Sequence, residues 1–360
     1  MRRAGSLLIA LALIAALVVP ILLGGSDALA TAWNFPLPNL AALTLLTIVS
    51  WLGKAQKLRV LLRQLGTPLP FARALGISLA TDFAFMATPA GVGGYPANIH
   101  LLKRAGVSTT ASTAIVLADQ LLDLLFFALA IPLSLLVLLS TDLPNGLREA
   151  ALSMILLLAL AGAIIVLLRH RFWSWIFASR RSFERRSWRH RLQLRLLRFL
   201  HGMRQQARVL AHADAMFYAI LALLTTLQWL TRYGSLWLVL ILLGHPLPFA
   251  YALLLQALIL HAAQWTGVPS GAGGAEIGLA AALAAWAPAT SIATALLLWR
   301  YATLYLGLAA GGIAWLMLAG RGLKNVASEG SLREDGAQQP ECTKLHEYSE
   351  HRRRAKNRAQ

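Results

Sequence analysis

The segment PAGVGG (residues 89–94) interrupts one apolar part of the chain, and PSGAGG (residues 269–274) interrupts another. Proline and glycine both disfavour a helix interior, so each segment predicts a break between two short helices. We call them the first break and the second break. In a bilayer, backbone that is not helical is tolerated only where protein or a polar cavity satisfies its peptide groups. The two breaks are therefore the first candidates for a functional site.

The composition is that of a membrane protein. Hydrophobic residues make up 58% of the chain and charged residues 13%, which is more apolar side chain than a soluble domain of this length can bury. Apolar runs that approach or reach the length of a bilayer crossing recur at residues 6–23, 40–52, 153–168 and 216–243. The sequence therefore predicts an all-α polytopic membrane protein.

The distribution of charge predicts the orientation of the chain. The net charge is +18, but the basic residues lack the aromatic interleaving that base stacking needs, so no nucleic-acid partner is expected. Because cytoplasmic loops are rich in Lys and Arg, the cytoplasmic side is predicted for Arg2, Arg3, Lys54, Lys57, Arg59, Arg63, Lys103, Arg104 and the segment 169–213. The opposite side is predicted for residues 24–39, 141–149, 244–248 and 287–291. We expect a multi-pass protein of the cell (inner or plasma) membrane with both termini in the cytoplasm.

These rules divide the chain into about six full spans and two broken hairpins. The spans are predicted near 6–23, 39–60, 110–139, 150–168, 215–243 and 292–319, and the hairpins, either re-entrant or built from short tilted helices, near 71–105 and 249–287. Residues 1–320 form one transmembrane domain, with a first half at about 39–140, a basic cytoplasmic loop at 169–213 and a second half at about 215–319. The polar tail 321–360, which contains the single cysteine Cys342, is expected to be disordered. The first span is interpreted as an uncleaved signal-anchor, although Ala28–Ala30 offers a small-residue cleavage pattern.

An internal repeat links the two halves. The stretch LGTPLPFARAL (residues 65–75) returns as LGHPLPFAYAL (residues 243–253), and a glycine break follows each at a similar distance. By the charge rule the first copy is cytoplasmic and the second lies outside, so the repeats are predicted to be inverted. Inverted repeats with helix breaks at matching positions are typical of transporters whose site lies between the halves.

The candidate site consists of the breaks and the ionisable residues in apolar helices. A glycine turn that opens a helix can offer N–H groups to a phosphate or carboxylate, which nominates Gly91, Gly93, Gly94, Gly271, Gly273 and Gly274 as substrate-binding residues; close helix packing is the alternative. Ionisable residues within spans are functional candidates, and these are Asp119, Asp123, Glu276 and Arg300, with Asp82, His100, His261 and Arg232 as weaker ones. Asp119 and Asp123 share a helix face. Arg300 either binds an anionic headgroup or pairs with Asp119 to lock the halves together, and Trp265 is expected to pack.

No enzyme is predicted. The sequence has no zinc-type Cys/His spacing, no phosphate-binding GxxxxGK[ST] and no nucleophile elbow, so neither a metal nor a cofactor is expected.

Over roughly residues 5–320 the chain resembles the lysylphosphatidylglycerol synthase transmembrane family, also called flippase-like or UPF0104 proteins. The matching motifs are PAGVGG, LLKRAGVS and LADQLLDL in the first half, and VPSGAGGAEIGLAAAL and LLLWRYATLYLG in the second. The resemblance implies a multi-spanning domain that moves lipids such as aminoacylated phosphatidylglycerol between leaflets. The soluble aminoacyltransferase domain of bifunctional members has no counterpart in this sequence, so synthesis of that lipid is not expected, and the second break is looser than the family's usual form.

Three functions follow, in order of preference. The first is a translocase that moves an anionic or aminoacylated phospholipid, or a lipid-linked precursor, between leaflets. The second is a non-catalytic membrane partner of an envelope lipid or lipid-glycan enzyme, and the third is a small-solute carrier. The expected partners are anionic membrane phospholipids, a lipid-modifying enzyme and further copies of the same chain.

Overall fold

The computed structural model describes residues 2–139 and 188–319, and every regular element within them is helical. The helices are α1 (Arg2–Trp33), α2 (Leu37–Gln64), α3 (Phe71–Ala87), α4 (Gly94–Arg104), α5 (Thr109–Leu139), α6 (Trp188–Ala211), α7 (Ala215–Leu242), α8 (Phe249–Gln264), α9 (Gly274–Leu283) and α10 (Ala289–Ala319). The stretches Leu13–Trp33, α2, α5 and α10 are long and apolar enough to cross a membrane, and α7 makes a fifth when it is joined to the end of α6, which meets it at 96°. The all-α membrane fold is thereby confirmed. The predicted span 150–168 and the tail 321–360 lie outside the described residues.

The first helix is longer than predicted. It runs through most of the predicted outer loop 24–39 and ends at Trp33 rather than near residue 23. Gly25, at φ 66°, absorbs a kink inside it, so the glycines do not end the helix. Packing on α10 explains the extension, since the Thr294 hydroxyl donates to the carbonyl of Ala28 at 3.3 Å.

Both predicted hairpins consist of two short helices around a break. The first is α3, a 3₁₀ turn at Pro89–Gly91 and α4; the second is α8, a 3₁₀ turn at Pro269–Gly271 and α9. The middle residue of each turn adopts the left-handed conformation, with φ 51° at Ala90 and φ 57° at Ser270. A residue with a Cβ rarely adopts this conformation, so the two breaks share an unusual backbone as well as a sequence pattern.

The rest of the two halves also matches in order and length. α2 and α7 have 28 residues each, and α5 and α10 have 31 each. The LGxPLP segments end α2 and α7 in the same way, with a left-handed glycine (Gly66 at φ 71°, Gly244 at φ 83°) that lets the next residue bond back to the helix. The prolines that follow start the next helix, so the repeated sequence produces a repeated turn.

Two packed cores hold the site helices. Residues of α2, α3, α4 and α5 make up most of the first core, to which α6, α7 and α10 also contribute, and those of α7, α8, α9 and α10 dominate the second. α2 and α7 join them by close packing, in which the Ser50 hydroxyl donates to the carbonyl of Gln228 at 3.0 Å. Gly53 lies at the same contact, where an added Cβ would sit 3.6 Å from the carbonyl oxygen of Leu224.

Candidate functional site

The two breaks meet each other. The hydroxyl of Ser270, in the second turn, donates to the carbonyl of Met86 at the end of α3 at 3.1 Å. The turns Pro89–Gly91 and Pro269–Gly271 pack together around this hydrogen bond. We call this region the break junction. Residues 184 positions apart in the sequence therefore form one structural unit.

Four of the six predicted glycines donate hydrogen bonds from their backbone N–H groups to nearby residues of the protein. The bonds are Gly91 to the Thr88 carbonyl (3.0 Å), Gly93 to the Thr88 hydroxyl (2.9 Å), Gly271 to the Val268 carbonyl (3.0 Å) and Gly273 to the Glu276 carboxylate (2.7 Å). The expectation that these N–H groups are free for an anion is wrong for this conformation, because the turns satisfy their donors internally.

The glycines have a clear packing role instead. A Cβ on Gly94 would lie 2.3 Å from the ring of Phe85, and one on Gly271 would lie 2.7 Å from the Cβ of Ala263. Gly271 also has φ +60°, which side chains disfavour. Gly94 and Gly274 are the first residues of α4 and α9. The packing alternative is thus supported, and substrate contact at these glycines stays a prediction.

Arg300 and Glu276 form a buried ion pair beside the second break. Arg300 is 3% exposed and Glu276 is fully buried. One carboxylate oxygen of Glu276 accepts from Nε of Arg300, and the other accepts from the Gly273 N–H at 2.7 Å. Nη1 of Arg300 lies 3.5 Å from the Ser270 carbonyl, and Nη2 has no hydrogen-bond partner among the described residues. Glu276 therefore orients Arg300 on the break, and both of its oxygens are already engaged.

A second charged cluster surrounds Lys57 of α2. The ammonium of Lys57 is fully buried and lies 2.8 Å from Asp119 and 2.9 Å from Asp123. The indole N–H of Trp229 donates to the same oxygen of Asp123 at 2.9 Å. With one ammonium and two carboxylates, the cluster has a formal charge of −1 when all three groups are ionised. The prediction that Asp119 and Asp123 share one helix face is confirmed, and both carboxylates on that face pair with the ammonium of Lys57.

The cluster changes the interpretation of two residues. Lys57 is one of the charges that predict the cytoplasmic side, which stays a prediction, and its side chain is buried in the core because α2 continues to Gln64. The predicted pairing of Asp119 with Arg300 is wrong, since Asp119 pairs with Lys57 in the first half and Arg300 pairs with Glu276 in the second. Counted from the start of α5 and α10, Arg300 matches Gln120 rather than Asp119, so it lies on a different helix face.

A further ion pair joins Lys54 of α2 to Asp82 of α3. Lys54, too, was assigned to the cytoplasmic side on charge alone. Because Lys54 and Lys57 are three residues apart, they share one face of α2, and this spacing could have nominated them as partners of the buried aspartates. Nothing in the sequence paired each lysine with its aspartate, because those contacts join separate helices.

The remaining candidates are peripheral. His100 is exposed, Nδ1 of His261 contacts the carbonyl of Ala257, and Arg232 lies over the ring of Trp229 at 5.9 Å. Trp265 is 88% exposed, so its predicted packing role is wrong. Within the described ranges, no group of three or more His, Cys, Asp or Glu residues is placed to hold a metal ion.

Comparison with known proteins agrees with this architecture. The chain is 25% identical over 276 residues to a UPF0104 membrane protein of Archaeoglobus fulgidus, which covers 75% of this chain and 83% of the relative. Residues 7–311 match the family described as the lysylphosphatidylglycerol synthase TM region. That match contains both breaks, the Lys57 cluster and the Arg300–Glu276 pair. The chain belongs to the family of the lysylphosphatidylglycerol synthase TM region.

Proposed function

We propose that this protein is a lipid translocase, which moves a phospholipid with an anionic or aminoacylated headgroup, or a lipid-linked precursor, between the leaflets of the cell membrane. The observation that carries the proposal is the break junction, where two helix breaks from the two halves meet beside a buried arginine. Irregular backbone within a membrane domain is tolerated only where it is buried in protein or lines a water-filled cavity. The headgroup would pass the junction while the acyl chains stay in lipid.

The proposal includes an inverted arrangement of the halves. The halves share helix order, similar helix lengths and a 3₁₀ turn with a left-handed middle residue at each break. The turn after α2 is flanked by the basic residues Arg63 and Arg73, whereas the turn after α7 has no Lys or Arg beside it. The positive-inside rule then puts the two turns on opposite sides, with both termini in the cytoplasm. Residues 1–320 form one domain whose halves rock about the junction, as inverted repeats allow.

Buried charge also supports transport over a purely structural role. Within the described residues, four ion-pair contacts involve groups on α2, α3, α5, α9 and α10. A buried ion pair stabilises a fold little better than apolar packing of the same volume. Charged groups in apolar spans more often mark substrate or ion pathways. In this proposal the domain is not itself an enzyme, and its partner is the lipid headgroup.

Reconstituted liposomes test the proposal. Purified protein is incorporated into vesicles that contain headgroup-labelled phospholipids, and the loss of signal after a membrane-impermeant quencher reports the exchange between leaflets. We expect faster exchange than in protein-free vesicles, a loss in Arg300→Gln, and no change in the exposed control Arg63→Gln. No exchange above protein-free vesicles for any of several anionic and aminoacylated lipids would reject the translocase.

The alternatives make other predictions in the same material. A non-catalytic partner subunit of a lipid or lipid-glycan enzyme would fold and copurify with that enzyme, yet exchange no lipid on its own. A solute carrier would take up a soluble compound into the vesicle lumen. Mass spectrometry of lipid retained by the purified protein separates these alternatives, because the translocase is expected to retain a phospholipid that Arg300→Gln retains less.

A further inference from the structure

Two buried polar groups beside the second break lack hydrogen-bond partners, although the Arg300 guanidinium lies over the ring of Trp299 at 4.6 Å. Nη2 of Arg300 and the hydroxyl of Tyr305 are both inaccessible and without a hydrogen bond in the described part of the chain. Arg300 as a whole is 3% exposed. Leaving a buried donor unpaired is costly, and more so when the donor is charged. Two such donors, five residues apart on α10, favour a site that another molecule completes.

The two donors lie at the two ends of one π-helical turn. The helix α10 contains a π-helical turn at Tyr301–Tyr305, directly after Arg300. Such turns displace side chains from the regular helix pattern and are frequent at functional sites. The Tyr305 ring packs on the small cluster that contains Ala272 of the second break.

The chemistry of the two groups selects the ligand. A guanidinium only donates hydrogen bonds, and a phenol hydroxyl can donate one. Glu276 is already bound to Nε of Arg300 and to the Gly273 N–H, so its oxygens are not offered to a cation. A ligand with several acceptor oxygens, able to reach donors on two side chains, fits this arrangement. Phosphate has that geometry and binds arginine strongly.

We propose that Nη2 of Arg300 and the hydroxyl of Tyr305 bind the phosphate of a lipid headgroup, and that this binding loosens the break junction. The coupling follows from the contact between Nη1 of Arg300 and the Ser270 carbonyl, at the long distance of 3.5 Å. A phosphate that draws the guanidinium away breaks the contact of Arg300 with Ser270. Ser270 is also the residue whose hydroxyl donates to the Met86 carbonyl, so the junction loses support. The inference rests on the proposed translocase for its ligand, and names the atoms that recognise it.

The binding test uses Tyr305→Phe, which removes one hydroxyl and keeps the ring. Tyr301→Phe is the matched control, since Tyr301 belongs to the same π turn but its hydroxyl contacts Thr44 at 3.1 Å. Calorimetry in a phosphate-free detergent measures the binding of dihexanoyl phosphatidylglycerol, dihexanoylglycerol and inorganic phosphate. We expect binding of the phospholipid only, weakened roughly tenfold or more in Tyr305→Phe because a hydrogen bond to a charged group is lost, and unchanged in Tyr301→Phe.

Each other outcome overturns part of the inference. Equal binding by Tyr305→Phe and Tyr301→Phe rejects the hydroxyl as a ligand, and equal binding of dihexanoylglycerol rejects phosphate recognition. Binding of inorganic phosphate alone rejects a lipid headgroup as its source. Phospholipid binding without leaflet exchange in vesicles retains this site and rejects the translocase, so the two failures are distinguishable.

Amide hydrogen exchange tests the coupling to the junction. Phospholipid is expected to increase exchange in residues 86–93 and 268–273 of the wild type. In Ser270→Ala the hydrogen bond to Met86 is absent, so exchange there is expected to be high already and to respond little. Exchange that falls on binding, or that responds equally in Ser270→Ala, contradicts the proposed loosening.

Discussion

Replacing Lys57 by Met tests whether the charged cluster is balanced by this one residue. Methionine is similar in length and apolar, so it fills the space of the lysine stem in the packed core. The substitution leaves the carboxylates of Asp119 and Asp123, 17% and 15% exposed, without the ammonium that lies 2.8 and 2.9 Å from them. Among the described contacts, Asp123 then keeps the indole hydrogen bond from Trp229. The variant therefore has a formal charge of −2 where the wild type has −1.

The expected loss of stability is large. Removing one partner of a buried ion pair costs about 3–5 kcal/mol, because the charge that remains is uncompensated. The partial exposure of both aspartates places the expected value near the lower end, at about 3 kcal/mol. The triple variant Lys57→Met, Asp119→Asn, Asp123→Asn removes all the charge and keeps an acceptor for Trp229. It is expected to recover most of the loss, since replacing a whole buried ion pair by neutral groups is often close to neutral.

Unfolding by sodium dodecyl sulfate in mixed micelles, followed by circular dichroism, measures these differences. Arg63→Met on the same helix is the matched control, because Arg63 is exposed and forms no described ion pair. Surface substitutions of this kind usually change stability by less than about 0.5 kcal/mol. The reasoning is refuted if Lys57→Met is as stable as Arg63→Met, or if the triple variant is no more stable than Lys57→Met alone.

Three further substitutions test single contacts by the same unfolding measurement. Asp123→Leu is expected to destabilise more than Asp119→Leu, because it also leaves an indole N–H unpaired; equal losses would contradict this. Gly94→Ala is expected to lose about 1–3 kcal/mol to overlap with Phe85, and Phe85→Leu in the same chain should recover part of it. Ala90→Gly is expected to stabilise by up to about 1 kcal/mol, since Ala90 has φ 51°; a clear loss would show that the left-handed turn is not strained.

The sequence predicts the helices and breaks well because both depend on local chemistry. The repeated LGxPLP segment produces the same glycine-ended helix in both halves, and proline and glycine produce both 3₁₀ turns. The end of α1 was missed because Gly25 can bend a helix as well as end it, and the packing of α10 on α1 decides between the two. Such a contact has no local signature.

The site is less predictable, because its partners come from different helices. Asp119, Asp123, Glu276 and Arg300 were found from their charge alone, but pairing them required the fold. Lys57 was missed for a specific reason: the positive-inside rule treats every lysine near a helix end as a loop residue. A lysine stem is long and apolar, and its ammonium can be buried where carboxylates meet it. Charge counting cannot distinguish these two environments.

The two breaks share a left-handed middle residue but differ in the backbone that follows, with φ −77° at Gly93 and φ 82° at Gly273, and in their chemistry. This asymmetry favours one proposed anion site rather than two. The third residue of α4 is Pro96, where α9 has Glu276, and the position of Arg300 is occupied by Gln120 in α5. The N–H of Gly93 is satisfied by a neutral threonine hydroxyl, whereas its counterpart in the second break is satisfied by the carboxylate that also holds Arg300.

Of the two breaks, the second therefore combines a left-handed turn with an oriented guanidinium. The end of α3, just before the first break, supplies the contact for the second break through the Met86 carbonyl. Grafting tests this division of roles: Gln120→Arg with Pro96→Glu should build a second ion pair without creating phospholipid binding. The reason is that Leu125 of α5 occupies the position of Tyr305 in α10 and α5 has no π turn, so the hydroxyl beside Gln120 is that of Tyr95 on α4 (2.6 Å), which approaches from another helix. A doubled binding stoichiometry would show that the arginine–glutamate pair alone makes the site.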